Sequence, residues 1–362
     1  MQEPDLPLVF TRRDAVRLGL TDHAISWRAH TRRWLPLRRG VFVRADVHAT
    51  ATGAARHLLA ALAVLAGHET TVVLSHLTAA LAYGWAAPLD VDPTPWATRL
   101  PGGGAHTRRR CGYVRQVAPL PAYQVFEREG VTLTAPARTV ADCLRHYPAE
   151  TSVPIADSAL AQGVDPREVQ RILQQQSGWP YAARGAASAR LLDGRREGWL
   201  ESRSVVTIHR LGLPLPTPQV SVFDERGRFV GRVDLLWESL GVVGEPDGWA
   251  KYTLSDGQLT SLDRLRAEKQ REDGLRSLGY EVVRWATADV LRPRPDLADR
   301  LARAFARADP ARIRGRRAPR AWPSARTDVD AAGLRALRGL TGTGLLLLPP
   351  APYSRSDGDL AC

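Results

Sequence analysis

Between residues 196 and 290 the spacing of apolar positions changes period repeatedly, and each change marks an element. Apolar and polar residues over Glu197–Leu211 follow a helical repeat that Gly212 ends. Gln219–Asp224 alternates as a half-buried strand, and Glu225-Arg-Gly227 turns the chain into a second strand, Phe229–Trp237. Leu240–Gly244 is continuously apolar, the pattern of a strand covered on both faces. Leu262, Leu265, Leu275 and Leu278 return to helical spacing until Gly279, and Glu281–Trp285 reads as a last buried strand. The predicted order is helix, strand, strand, strand, helix, strand.

Residues 8–46 predict a smaller unit. Thr11 is placed to cap a helix over Arg12–Leu18, Gly19 stops it, and Thr21 or Asp22 caps a second helix over His23–Arg33. Trp34–Val43 reads as a turn and short hairpin. Helix, tight turn, basic helix and basic hairpin predict a winged helix-turn-helix. With Ala24, Ile25 and Trp27 turned inward, Arg28, His30, Thr31, Arg32 and Arg33 are left for DNA. Arg38 and Arg39 lie where a wing meets the duplex backbone. The same pattern also suits a helical hairpin whose surface arginines are scaffolding.

The middle of the chain mixes both periods. Ala54–Ala66 predicts a helix, Val72–Leu74 a strand, Ser75–Tyr83 a capped helix ended by Gly84, and Val131–Pro136 a strand leading into a helix through Leu144. Asp142 and Asp157 fall in helical stretches, where capping or pairing is their expected role. Gly102-Gly-Gly104 is a turn with no Gly-Lys-Ser/Thr after it, so it is not a phosphate loop. Residues 165–195 are helical around a loop at Ser177-Gly-Trp-Pro180. Beyond 309, Arg, Pro, Ala, Gly and Ser dominate without a sustained period, which predicts a disordered basic tail. The expected fold class is multidomain α+β and α/β: a winged unit over 1–48, a mixed α/β domain over 49–195, an αβββαβ domain over 196–308 and a tail over 309–362.

Composition bears on partners. The formal net charge is +12 and the isoelectric point about 10.4. A basic balance of this size points to double-stranded DNA, because neutralised phosphates release counterions. A GC-rich coding sequence also enriches arginine and alanine, an alternative source of part of the excess. Cys111, Cys143 and Cys362 are too few and too scattered for a disulfide framework or a zinc motif, and a reducing cytoplasm is expected. Met1–Asp5 is acidic with no apolar signal core. The longest apolar run, Leu58–Ala66, falls well short of the ~20 residues of a membrane span. No membrane role is expected.

The candidate chemistry is acidic. Glu201, Asp234 and the pair Glu245/Asp247 fall on a helix and at the ends of strands. Hard divalent cations take oxygen ligands, and a cation so held activates water and stabilises phosphate charge. That points to a nuclease-type site. Asp247-Gly248 is also a turn signal, so turn and ion-pair roles compete for these acids. Other chemistries fare poorly. Ser75 and His76 are adjacent, which is no nucleophile–base arrangement, and the histidines lack metal-ligand spacing.

As a set, Glu201-Ser202, Gly212-Leu-Pro-Leu-Pro-Thr-Pro-Gln219, Arg232-Val-Asp234, Glu245-Pro-Asp-Gly248, Arg271-Glu-Asp273 and Val282-Val-Arg-Trp285 resemble the restriction-endonuclease-like fold. The closer likeness is to very-short-patch-repair-type members of the PD-(D/E)xK superfamily. The resemblance implies Asp234 as central metal ligand, Glu245 as second ligand, Glu201 reaching in from the helix, and Mg2+ as cofactor. The superfamily often has Lys two residues after the second acid. Here Asp247 stands there, after Pro246, so Lys251 or Lys269 is the candidate to assist water. Arg284 is a candidate for phosphate and Gln219 for the site lining; Arg271 is a candidate partner of an acid in the cluster. The front half resembles AbiEi-type antitoxins of type IV toxin–antitoxin systems, through Arg39-Gly-Val-Phe-Val43, Ser75-His-Leu-Thr-Ala-Ala80 and Ala137-Arg-Thr-Val-Ala-Asp142. That likeness implies promoter binding, autoregulation and a cognate toxin protein as partner. The expectation is a DNA-binding antitoxin-type regulator carrying a nuclease-like domain. That domain is either a Mg2+-dependent DNA endonuclease or a dead fold used for regulation or toxin neutralisation.

Overall fold

A computed structural model describes residues 5–51, 53–67, 72–86, 94–101, 108–110, 112–128, 130–247, 261–291, 295–326, 329 and 332–338. The turn at 102–104, Lys251 and the end of the tail lie outside the described residues. In chain order the elements are β1 (Val9–Thr11), α1 (Arg12–Arg17), α2 (Asp22–His30), β2 (Trp34–Arg38), β3 (Val41–Arg44), α3 (Ala45–Thr50), α4 (Gly53–Ala66), β4 (Val73–Leu74), α5 (His76–Ala82), β5 (Trp96–Arg99), β6 (Arg108–Arg110), β7 (Tyr113–Val117), β8 (Val125–Arg128), β9 (Val131–Thr134) and α6 (Pro136–His146). There follow α7 (Ala149–Ala161), α8 (Pro166–Gln175), α9 (Ala182–Ala189), α10 (Trp199–Arg210), β10 (Thr217–Phe223), β11 (Phe229–Trp237), β12 (Val242–Asp247), α11 (Ser261–Ser277), β13 (Glu281–Ala286), α12 (Thr287–Leu291), α13 (Pro295–Arg307), β14 (Arg316–Pro319) and α14 (Ala332–Arg338). The fold is mixed α and β, in two compact units. One comprises Met1–His146, Pro166–Gln176 and Asp328–Cys362; the other Tyr147–Asp165 and Ser177–Thr327.

In the first unit Thr11 caps α1 through a reciprocal pair with Asp14, and Thr21 caps α2. The three-stranded sheet runs β1-β3-β2. Phe10, Trp34 and Phe42 stack beneath α1 and α2, with Phe10 and Trp34 ring centres 4.7 Å apart. One sequence expectation is reversed here. Trp27 is exposed, whereas Arg28 is buried, its guanidinium over the Trp34 ring and Nη1 donating to the Ala24 carbonyl at 3.3 Å. Helical geometry is the reason: with Ile25 in the core, the residue three on shares its face and the residue two on turns away.

A six-stranded sheet, β6-β7-β5-β4-β9-β8, completes this unit with α4, α5, α6 and α8. Ser75 does not cap α5 with its side chain. Instead the Thr98 hydroxyl donates to the Ser75 oxygen at 2.8 Å, and Ser75 lies 3.0 Å from His76 Nδ1. Asp142 pairs with Arg138 and Arg145, as its helical position suggested.

The second unit is built on a five-stranded sheet, β13-β12-β11-β10-β14, parallel between β12 and β13 and antiparallel elsewhere. Each face has its own core. Val205 and Ile208 of α10, Leu297 and Leu301 of α13, and Trp237 and Trp285 lie together on one side. Leu275 of α11 and Leu278 just after it meet Val220, Val233 and Val243 on the other. Residues 316–319, expected within a disordered tail, form β14, because β10 has a free edge and Val220–Phe223 pairs with Arg316–Pro319. Glu150 of α7 faces Arg203 and Arg210 of α10, and Asp157 of α7 pairs with Arg196.

Gly244 fixes where β12 sits. A Cβ there would lie 2.6 Å from a Trp285 ring carbon and 2.9 Å from one of Trp237. Gly244→Ala is expected to cost about 1–3 kcal/mol by overpacking. A fall in the urea midpoint of the full chain with unchanged m-value measures it.

Candidate functional site

The β11–β12 register, Leu235↔Gly244, makes Asp234 and Glu245 neighbours across the strand pair. Across β10, the pairs Pro218↔Leu235 and Val220↔Val233 flank Gln219 and Asp234. Gln219 has φ +54, a left-handed backbone that few non-glycine residues adopt. At the same place β11 loses its alternation, since Val233 packs on the α11 side and Leu235 on the α10 side. Glu201 arrives from the first turn of α10.

These side chains meet through one amide. Gln219 Nε2 donates to Glu201 Oε2 at 2.9 Å and to Asp234 Oδ1 at 3.3 Å. The Glu197 backbone N–H donates to the same Glu201 oxygen at 3.1 Å. Glu201, Gln219 and Glu245 are all buried. Glu245 is engaged elsewhere: Arg271 of α11 grips both its oxygens, at 2.8 and 2.6 Å. Burial first, and then the charge of Asp234, push the Glu201 carboxyl up to about 7, against the hydrogen bonds from Gln219 and Glu197.

The structure therefore brings Glu201, Gln219 and Asp234 together and sets Glu245 beside them in an ion pair. Among the described residues no group of three or more His, Cys, Asp or Glu stands gathered to hold a metal ion. The donor set still suits a hard cation, since Mg2+ is commonly held by one or two carboxylates with waters and substrate phosphates. Lys269 is exposed on α11, and Arg271, two residues on, is the cation that reaches the acids. Arg284 is the register partner of Glu245, but its guanidinium pairs with Glu268 and Glu272. Asp247 is half-buried at the end of β12.

Of two further arginines at this site, Arg232 stood in the sequence only within the Arg232-Val-Asp234 motif, and Arg320 had no signal there. Glu197 pairs with Arg232 at 2.8 Å and also with Arg320, whose backbone N–H donates to the Gln219 carbonyl at 2.9 Å. Arg320 comes from the β14 segment, whose pairing no periodicity announced.

On the first unit, Thr31, Arg32, Arg33 and Arg39 are exposed, and Arg32 has φ +55. Arg33 lies over the exposed Trp27 ring, 4.9 Å from its centre. Arg28 is buried and is withdrawn from that surface. Arg38 is half-buried over Tyr113, 5.0 Å from the ring centre, so it packs within the unit.

No family model matches the chain. It is similar to two curated proteins of Mycobacterium tuberculosis, "Uncharacterized protein MT2308" of strain CDC 1551 / Oshkosh and "Uncharacterized protein Rv2248" of strain ATCC 25618 / H37Rv. Each is 29% identical over 255 residues, covering 69% of this chain and 86% of the relative. Among the described residues no helix is long and apolar enough to cross a membrane.

Protonated Glu201 is favoured in the folded state. Its contribution to stability is full below pH 4.5 and is lost as the pH rises to about 7. Glu201→Gln is expected to remove that loss. In metal-free buffer the variant's urea midpoint should exceed the wild type's above pH 7, by up to about 3 kcal/mol in stability. The two should converge below pH 4.5.

Proposed function

We propose that the chain is a DNA-binding protein whose second unit carries a divalent-cation-dependent phosphodiesterase site. The observation that carries this reading is the buried pair Glu201 and Gln219 bonded to half-buried Asp234, with Glu245 at the neighbouring register position. A buried carboxyl beside a second acid, next to a left-handed backbone at Gln219, is costly to ionise without a cation to receive. The order α10, β10, β11, β12, α11, β13, with acids on α10, β11 and β12, supports a restriction-endonuclease-like core.

In this reading Glu201 and Asp234 would hold Mg2+, with Glu245, paired to Arg271, as the neighbouring carboxylate. The bound ion supplies Lewis-acid stabilisation of phosphate charge and a water acidic enough to ionise near neutral pH. Gln219 orients both carboxylates through its amide, and the Glu197 backbone N–H holds the same Glu201 oxygen. Arg232 and Arg320 offer phosphate contacts once Glu197 shares them. In the first unit, the exposed arginines of the α2–β2 turn and the β2–β3 turn form the duplex-binding face of a winged helix.

A second reading has an observation of its own. Arg271 occupies Glu245, and Asp247 stands where the superfamily often has Lys. Both suit a fold that no longer cuts and instead serves an antitoxin-type regulator, binding promoter DNA and a toxin partner. Incubation of the full chain with supercoiled plasmid and Mg2+ separates the two. Cleavage by the wild type, reduced to background by Asp234→Ala with duplex affinity retained, supports the phosphodiesterase. An inactive wild type that binds its own promoter tightly supports the regulator.

The duplex face has a separate check. Arg32→Ala and Arg33→Ala are expected to weaken binding for every sequence tested. Each should flatten the slope of log affinity against log salt by about one, as fluorescence anisotropy would report. Arg28→Ala should instead lower the melting temperature, because the Arg28 side chain is buried against Trp34.

A further inference from the structure

We propose that Arg271 is the residue that receives the substrate phosphate in the second unit, and that its grip on Glu245 keeps the third carboxylate from a cation until that exchange takes place. The inference rests on the phosphodiesterase reading of the same site and assigns it a substrate-binding residue coupled to cation entry.

The geometry of the pair is the first argument. Nη1 and Nη2 of Arg271 bond separately to Oε1 and Oε2 of Glu245, at 2.8 and 2.6 Å. A guanidinium fork makes the same two-point contact with a phosphate as with a carboxylate. Moving from Glu245 to a phosphodiester therefore keeps the type and number of bonds. While the fork stays on Glu245, a cation at Glu201 and Asp234 meets a guanidinium whose field already reaches Asp234. Bringing in the phosphate removes that positive charge from Glu245 and frees both oxygens.

The second argument is the space made for the arginine stem. A Cβ at Gly231 would lie 2.8 Å from Cγ and 2.9 Å from Cδ of Arg271. Strand β11 is thus bare where the stem crosses it, three residues before Asp234. The guanidinium also reaches the Arg232 carbonyl at 3.4 Å. Neighbouring cations have other engagements: Arg284 pairs with Glu268 and Glu272, and Arg232 with Glu197.

A purely structural salt bridge tying α11 to the sheet makes a different prediction, and this decides the test. The full chain is titrated with Mn2+ by calorimetry and followed by thermal melting, with and without a short phosphorothioate duplex. Wild type, Arg271→Ala and Gly231→Ala are compared. Gly231→Ala keeps every charge and only displaces the stem, so it covers the case in which Arg271→Ala fails to fold.

Arg271→Ala should melt lower than wild type without metal and bind Mn2+ roughly tenfold tighter. The duplex should tighten Mn2+ binding by a similar factor in wild type and leave Arg271→Ala unchanged, since the exchange has nothing left to release. Gly231→Ala should shift in the direction of Arg271→Ala. If wild type binds Mn2+ and both variants bind it equally or more weakly, the exchange is overturned while the cation site stands. If none of the three responds to Mn2+, with or without duplex, the phosphodiesterase reading falls and takes the exchange with it.

Discussion

Two carboxylates that share one amide, one buried and one half-buried, set the terms for the second unit. Glu201 and Asp234 both accept from Gln219 Nε2, and the charge of one raises the other's affinity for a proton. The amide gets there only because Gln219 takes a left-handed backbone at φ +54. A non-glycine residue in that region costs about 1–3 kcal/mol and persists where its surroundings over-determine it. Here they do: Val220 and Val222 anchor one side of the strand in the α11 core, and β14 and β11 bind both its edges.

The neighbouring strand depends on a different constraint. Trp237 and Trp285 close over Gly244, which has no side chain to hold them apart. Each indole N–H is satisfied, Trp237 by the Pro214 carbonyl at 2.6 Å and Trp285 by Ser204 at 2.8 Å. The rings are therefore fixed by polar bonds as well as by packing. Glu245 follows Gly244 directly, so the indole pair sets the height at which that carboxylate stands beside Asp234. The acidic cluster and the apolar core on the α10 side are one arrangement, built from residues alternating along β12.

Much of this was legible in the chain. The order of elements over 196–290 followed from period alone, because strands covered on both faces and helices with one apolar stripe write distinct patterns. Three features were not legible, each for a physical reason. Gln219 lies in an alternating strand pattern that carries no mark of a left-handed backbone. Arg28 and Trp27 exchanged places because residue type suggested the opposite of what the helical repeat from Ile25 dictates; a guanidinium over an indole face makes a favourable buried contact. Arg320 entered the site directly after β14, a strand made by edge pairing to β10 and not by any apolar pattern of its own. The pairing of Arg271 with an acid of the cluster was open from charge alone, but its partner depended on the α11 geometry.

The strain and the like charges also bear on whether the second unit is only a scaffold. A protein that needs α10 fixed to β10 and β11 can do so with a glutamine at 201, which still accepts from Glu197 and Gln219 and brings no second negative charge beside Asp234. Glutamic acid there adds desolvation and repulsion without adding a bond. The same holds for Glu245, where an apolar residue fills a buried strand position at no electrostatic cost, yet an acid stands there and requires an arginine from α11 to neutralise it. Folding alone gains nothing from three acids placed this way. On the proposed reading, a positively charged ligand that arrives after folding would gain from Glu201 and Asp234, and the arginine already on Glu245 would give that ligand's anionic partner a place to bind.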